Sequence, residues 1–484
     1  MRRVILLTLL AAVAASAQTT PIETQFSRLK KSPPELRAFL YKMPKGADLH
    51  NHLSGAIYAE TFLRSAVENH LCIDTVALTI VAPPCGPGRV VAAQTQTDNN
   101  LRNALIDNLS MRNFVAGRQS GHDHFFATFD KFGPVDSGEL VAEVAQRAGD
   151  QNESYLELMA LSGGGPISGL GRAAGLDDDF DLTRQKLEAA GLQSQVAALS
   201  SRVTAMDLRR QQTLGCQGSP ASPACRVQVH YIYQVLREFS KEQVFAQVLA
   251  GFALATADPR VVAVNFVQAE DGVNSMSDYH LQMRMLDYAK RVYPRVHITL
   301  HAGELAPGLV PPDGLLFHIR EAVELGHAER IGHGVDIMYE RDAPALLKEM
   351  KDRHIAVEIN LTSNDVILGV KGDQHPFPVY RKYGVPVMLS TDDEGVSRSQ
   401  LTEEFQRAVL TYNLTYRDVK ELVRNSLEYS FAPGASYWVK GAYGTVNAAC
   451  AAGRATSTCA DFLRNNEKAR LQADLEQRFA DFEK

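Results

Sequence analysis

Gly46-Ala47-Asp48-Leu49-His50-Asn51-His52 is the stretch on which the reading of this chain turns. It reads as a short strand running into two histidines. Residues two apart on a strand point to the same side, so His50 and His52 can share a face and hold one metal ion between them. From Gly46 onward, short β-rich runs alternate with longer helical patterns, the order that builds a parallel sheet with helices outside it. The runs fall at 46–50, 155–161, 227–233, 261–267, 296–301, 330–335, 355–360 and 385–390. Several are nearly continuous apolar stretches, as strands buried on both faces require. Eight such runs predict an α/β chain folded as a (β/α)8 TIM barrel, with its site at the C-terminal ends of the strands.

The first two gaps are too long for a simple barrel and read as insertions at about 69–150 and 162–226. The first carries Cys72 and Cys85 and a helical stretch at 99–130. The second carries a glycine-rich loop at 162–175, a helical stretch at 181–198, and Cys216 with Cys225. Within it, Gly169-Leu170-Gly171-Arg172-Ala173-Ala174-Gly175 imitates a dinucleotide fingerprint with its last glycine one residue late, and is read as flexible loop. His122-Asp123-His124 repeats the HxH pattern inside a helical stretch, where side chains two apart diverge; these are read as surface or lid histidines. The organisation is then an arm at 18–45, a barrel at 46–436 with the two insertions, and a helical extension at 437–484 that carries Cys450 and Cys459.

With 484 residues, 45% of them hydrophobic, the chain buries a large core, which excludes disorder. A formal charge of −6 argues against a general nucleic-acid binder. Met1-Arg2-Arg3, an apolar run at 4–15 and Ala15-Ser16-Ala17 have the three parts of a secretory signal, cleaved after Ala17. The run is shorter than the roughly 20 residues that span a bilayer. The expected product is exported, periplasmic or extracellular, with no membrane span after cleavage. The six cysteines fall in three close pairs, Cys72 with Cys85, Cys216 with Cys225 and Cys450 with Cys459, which suits short disulfide loops although six cysteines allow fifteen connectivities. No CxxC is present to suggest a thiolate metal site or a redox dithiol.

Later strand ends carry further groups suited to metal chemistry. Strand five runs into His301-Ala302-Gly303-Glu304, strand six into Ile331-Gly332-His333-Gly334, and strand eight into Ser390-Thr391-Asp392-Asp393-Glu394. A barrel gathers such ends around one mouth. Three imidazoles and a carboxylate suit zinc, with a position left for water whose pKa the metal lowers. Glu304, three residues past His301, can reach the site without entering the coordination sphere.

These pieces resemble the adenosine deaminases, and in motif style the secreted type related to the adenosine deaminase growth factors. The resemblance runs from Met43 to about Val396. It rests on Met43-Pro44-Lys45-Gly46, His50-Asn51-His52-Leu53, His301-Ala302-Gly303-Glu304, Arg330-Ile331-Gly332-His333-Gly334, Thr362-Ser363-Asn364 and Ser390-Thr391-Asp392-Asp393. It implies that His50, His52, His301 and Asp392 bind one Zn2+ per chain. It further implies that Glu304 protonates purine N1, that His333 orients and deprotonates the attacking water, and that Asp393 hydrogen-bonds N7. The implied reaction converts adenosine, and 2′-deoxyadenosine, to the inosine form and ammonia. Two positions depart from the family. Gln268 stands where the family commonly has a glycine whose backbone meets the purine edge, and Ser54 stands where intracellular members carry an acid for the sugar. Gln268, Glu270 and Ser54 are expected to contact substrate.

Rival readings are a related amidohydrolase acting on another N6-substituted or free purine, a binuclear amidohydrolase, and a secreted non-catalytic nucleoside-binding or signalling protein. The binuclear type commonly uses a modified lysine on strand four, and 261–267 contains none. A protein that had lost catalysis would have lost Glu304 or a ligand, and all are present. The cysteine signature of the cytidine-type zinc deaminases is absent, as are a GxxxxGK[ST] phosphate loop and HExxH.

Overall fold

The structure, a computed structural model, describes residues 21–217, 222–439 and 442–484; the export segment read at 1–17 lies outside the described residues. Eight parallel strands form one sheet in sequential order: β1 (Gly46–His52), β2 (Glu153–Ser162), β3 (Gln228–Leu236), β4 (Val261–Val267), β5 (His297–Ala302), β6 (Arg330–His333), β7 (Ala356–Ile359) and β8 (Val387–Leu389). The sheet closes on itself just beyond β8. There the Asp392 N–H donates to the His50 carbonyl (2.8 Å) and the His52 N–H donates to the Asp392 carbonyl (3.0 Å). The result is a (β/α)8 barrel, with helices such as Lys241–Ala257, Tyr279–Val292 and Ala343–Arg353 outside it.

All eight expected strands are present, and their ends differ for a physical reason. β6 and β8 stop short of the apolar runs that announce them. Their chains leave extended geometry at His333 (φ 68°) and Asp392 (φ 59°), in the left-handed region that ends pairing. β2 and β3 run longer than read, because the added residues still find ladder partners: Glu153 with Gly46 of β1, Ser162 with Gln234, and Val235 and Leu236 with Phe266 and Val267 of β4.

Inside the barrel a buried charge network ties four strands together. The Arg330 guanidinium, 1% exposed, donates to Glu157 on β2 (2.6 Å), to Glu358 on β7 (2.5 Å) and to the Tyr429 carbonyl (2.9 Å). The Phe431 ring lies against it at 3.9 Å. Glu358 in turn meets His50 on β1 (2.6 Å). The strand starts are held as well: buried Lys45 donates to the carbonyls of Tyr41, Met43 and Gln151.

The insertions differ in detail from their reading. The expected helix at 99–130 is two shorter ones, Asn99–Asn108 and Gly121–Phe126, with irregular chain between. A three-stranded antiparallel sheet of Cys72–Asp74, Thr79–Val81 and Arg89–Val91 precedes them. The glycine-rich stretch read as loop is a helix at Pro166–Ala174. Its Gly171 lies so close to the Lys241–Ala257 helix that a Cβ would fall 2.4 Å from the Glu242 carbonyl oxygen. Here glycine serves close packing, not flexibility. The helical stretch read at 181–198 is Phe180–Ala189 followed by Leu192–Thr213, turned at Gly191. The last helix, Glu467–Phe482, packs outside the barrel, where Arg478 bonds Asn152 and Ser154 at the start of β2.

Disulfides join Cys72 to Cys85, Cys216 to Cys225 and Cys450 to Cys459, the pairing that proximity suggests and a chemistry of oxidising compartments. No helix among the described residues is long and apolar enough to cross a membrane.

Removing one partner of the Arg330 network leaves two buried carboxylates without their cation. Arg330→Met is expected to lower unfolding stability by about 3–5 kcal/mol, read by guanidinium denaturation. A loss under about 1 kcal/mol would show that the network is not a structural requirement.

Candidate active site

Four side chains from three places in the barrel converge at the closing seam. The Nε2 atoms of His50 and His301 lie 3.1 Å apart, as do those of His52 and His301. Asp392 Oδ1 is 3.4 Å from His50 Nε2 and 3.3 Å from His52 Nε2. A tetrahedral ion with ligands at about 2.0–2.1 Å requires ligand-to-ligand edges of about 3.3 Å, which these separations match.

The protein also decides which imidazole nitrogen faces inward. His50 Nδ1 meets the Glu358 carboxylate (2.6 Å), His301 Nδ1 meets Asn265 Oδ1 (3.0 Å), and His52 Nδ1 meets Gln234 Oε1 (3.3 Å). Each partner is an acceptor, so each Nδ1 carries the proton and each Nε2 presents a lone pair. Three lone pairs and a carboxylate aimed at one spot repel one another unless a cation lies between them. Asp392 is oriented likewise, since its second oxygen accepts from Ser363 Oγ (2.5 Å). The residues present therefore fit a divalent metal ion. Gly332 makes room for the arrangement: a Cβ there would fall 2.5 Å from the His50 ring.

His333 also brings a donor atom within 4.8 Å of those of His50, His301 and Asp392, yet its hydrogen bonds set it apart. The Phe377 N–H donates to His375 Nδ1 (3.1 Å), leaving His375 Nε2 to donate to Asn364 Oδ1 (3.0 Å). The Asn364 amide then donates to His333 Nδ1 (2.9 Å). This relay places the His333 proton on Nε2, a buried atom without a partner among the described residues. His333 thus holds the tautomer opposite to that of the other three imidazoles and stands beside the cation position as a donor.

Glu304 follows Ala302 and Gly303 past the end of β5. Its Oε1 is buried without a hydrogen-bond partner among the described residues, 3.5 Å from His333 Nδ1. Burial, with the nearby carboxylates of Asp392 and Glu270, pushes its carboxyl well above the ordinary range. Asp393 lines the same cavity and has an unpartnered buried oxygen.

Among the substrate contacts expected from sequence, Gln268 lines the cavity and Ser54 lies exposed at it. Glu270 stands apart. Its carboxylate accepts from the Gly303 N–H (3.0 Å), the Glu304 N–H (2.8 Å) and His318 Nδ1 (2.6 Å), so it is spent on shaping the turn that carries Glu304.

The cavity, about 550 Å³, opens between this cluster and the first insertion. Phe125, Phe126, Phe129 and Phe132 from the insertion wall it. His122 spans the mouth, with Nε2 on Asp271 beyond β4 and Nδ1 on Asp123, each at 2.9 Å. The histidines of 122–124 do separate, since His124 turns to the Ser110 carbonyl.

Sequence reasoning missed the orienting residues Glu358, Asn265, Gln234 and His375. The first two had a signal: a polar residue in the middle of an apolar strand needs a buried partner.

The family whose model matches is adenosine deaminase, over residues 211–436. An adenosine deaminase of Clostridium perfringens is 39% identical over 135 residues, which is 28% of this chain and only 37% of that protein's length. An adenosine deaminase of Vibrio vulnificus is 23% identical over 398 residues, covering 82% of this chain and 96% of that one. Among solved structures, Arabidopsis ADAL complexed with IMP shares the fold with a TM-score of 0.57 at 19% identity, over 92% of this chain and 99% of that one.

The purified protein is expected to bind one divalent ion per chain in the convergent site. Glu358→Gln, which weakens the hold on His50, should lower that affinity about 10- to 100-fold in a competitive chelator titration. Equal affinities would show that Glu358 serves the charge network alone.

Proposed function

The chain belongs to the adenosine deaminase family of metal-dependent hydrolases, and from that premise we propose that it deaminates adenosine and 2′-deoxyadenosine hydrolytically with one Zn2+. The observation that carries the reading is the pairing of two features at one cavity. One is a closed set of three imidazole nitrogens and a carboxylate; the other is an unpartnered buried carboxyl, Glu304, that no metal geometry requires.

His50, His52, His301 and Asp392 would hold the ion, which when bound lowers the pKa of water and makes hydroxide available near neutral pH. Glu304 keeps its proton through burial and like charge and gives it to purine N1, drawing electrons from C6. His333, with its proton on Nε2, donates to the attacking oxygen and orients it. A nitrogen that already bears a proton cannot remove one, so the deprotonating role suggested by family resemblance narrows to orientation. Asp393 hydrogen-bonds N7 and so fixes which ring edge faces Glu304. Glu270 acts one step back, holding the Glu304 turn by two N–H bonds. The hydroxyl proton of the tetrahedral centre at C6 then passes to the amino group, which leaves as ammonia, and the proton given up by the water restores Glu304.

The Arabidopsis structure binds a nucleotide, which offers a second reading, and the cavity argues against it here. Among the described residues no lysine or arginine lines it, whereas Asp130, Glu238, Glu304, Asp392 and Asp393 do. A phosphate would lie among carboxylates, and His122 at the mouth is already engaged by two aspartates. Desolvating a dianion without a cationic partner is costly, so an uncharged nucleoside is favoured. The three disulfides and the segment at 1–17 support export.

With the metal-replete protein, ultraviolet loss of adenosine should be lost on chelation and fall about 10²- to 10⁴-fold in Glu304→Gln. Adenosine should exceed AMP at least about 100-fold in kcat/KM; comparable values would favour the nucleotide reading, and turnover of neither would sink the reading altogether. Asn364→Asp, which demands the proton on His333 Nδ1, should lower kcat on the order of 100-fold or more at unchanged zinc content. Unchanged kcat would remove the orienting role of His333.

A further inference from the structure

Gln268 has φ 83°, a conformation that residues with a Cβ rarely adopt, at the point where β4 delivers the chain to the cavity. Three hydrogen bonds hold it there, all from the end of β3. Arg237 Nε and Nη2 both donate to the Gln268 carbonyl, at 3.0 and 2.8 Å. The Glu238 N–H donates to the Gln268 side-chain oxygen at 3.1 Å. Arg237 is itself fully buried, and its remaining contact is from Nη1 to the carbonyl of His301 at 3.3 Å. Its own carbonyl is held by Gln282 (3.0 Å). A buried guanidinium that spends its donors on backbone carbonyls is fixing a loop shape.

That shape has a consequence at the cavity. The Gln268 side-chain oxygen is turned back toward β3, so this residue meets a ligand mainly through its backbone. A trans peptide sets the next N–H opposite to its carbonyl, so turning the Gln268 carbonyl onto Arg237 directs the Ala269 N–H away from it. Gln268 and Ala269 both line the cavity, and Arg237 does not. We propose that Arg237 is a positioning residue for substrate recognition: it clamps Gln268 in the left-handed conformation, so that the peptide edge at 268–269 hydrogen-bonds the bound purine. The clamp makes a glutamine serve at a position whose geometry favours glycine. This inference rests on the purine deaminase reading and adds the device that shapes its specificity.

The test is a double-mutant cycle on the zinc-loaded, full-length protein with adenosine. Arg237→Lys offers a single ammonium where the carbonyl takes two N–H bonds, and should raise KM at least about tenfold with a smaller effect on kcat. In a Gln268→Gly background, where the left-handed conformation needs no clamp, the same substitution should raise KM less than about threefold. Equal factors in the two backgrounds would overturn the clamp and leave Arg237 as packing. Should Arg237→Lys fail to fold, the conformation is tested with Arg237 in place. Gln268→Val, which resists positive φ, should show a KM at least about tenfold above that of Gln268→Asn, which tolerates it. Equal KM values for those two would overturn the proposal. Absence of purine turnover by the unmodified protein would overturn the deaminase reading and this inference with it, an outcome distinct from turnover without coupling.

Discussion

Mutual repulsion among three imidazole lone pairs and a carboxylate oxygen is the constraint around which the barrel is organised. His50, His52 and Asp392 lie at the seam where the sheet closes, and their backbones make that closure, while His301 reaches the same centre from β5. Closing the barrel therefore brings three of the four donors together. The orienting acceptors Glu358, Gln234 and Asn265 hold each ring in the tautomer that aims its lone pair inward. Glu358 links this arrangement to the Arg330 network, so the site and the interior of the barrel share one set of hydrogen bonds.

Strain collects at the same mouth. His333, Asp392 and Gln268 all sit at positive φ. Each is held by partners that leave little freedom: the Asn364 amide on His333, Ser363 and the seam on Asp392, the Arg237 fork on Gln268. Sparsely populated backbone conformations persist where the surroundings over-determine them, and such places are commonly functional. The first insertion completes the site from outside with an aromatic wall and the His122 bridge, which explains why a gap too long for a simple barrel sits after β1.

Much of this was legible in the residues. Eight apolar runs announced eight strands, and the HxH spacing on β1 put two histidines on one side. The His301-Ala302-Gly303-Glu304 run separated a candidate ligand from a candidate acid by one turn's reach. Other features were not legible. Pro166–Ala174 reads as loop because Gly169 and Gly171 lower helix propensity; the helix is rescued by a close packing partner about seventy residues further on, which local sequence does not display. Glu270 looked like a substrate contact from its neighbourhood in sequence, whereas its carboxylate is spent on the Glu304 turn. The role of His375 depended on a relay through Asn364 that joins separate segments.

The sequence by itself determined the fold class, the strand order and the inventory of metal-chemistry groups, and suggested three close cysteine pairs without settling their connectivity, because these follow from periodicity, proximity and residue chemistry along the chain. Only the tertiary structure decided which nitrogen of each histidine faces the centre, that His333 is a donor beside it, that no lysine or arginine among the described residues lines the cavity, and that Gln268 is held in a glycine's conformation. Those properties are set by hydrogen bonds between residues tens to hundreds of positions apart, and a proton's place on an imidazole or a carbonyl's direction follows from its partner across space.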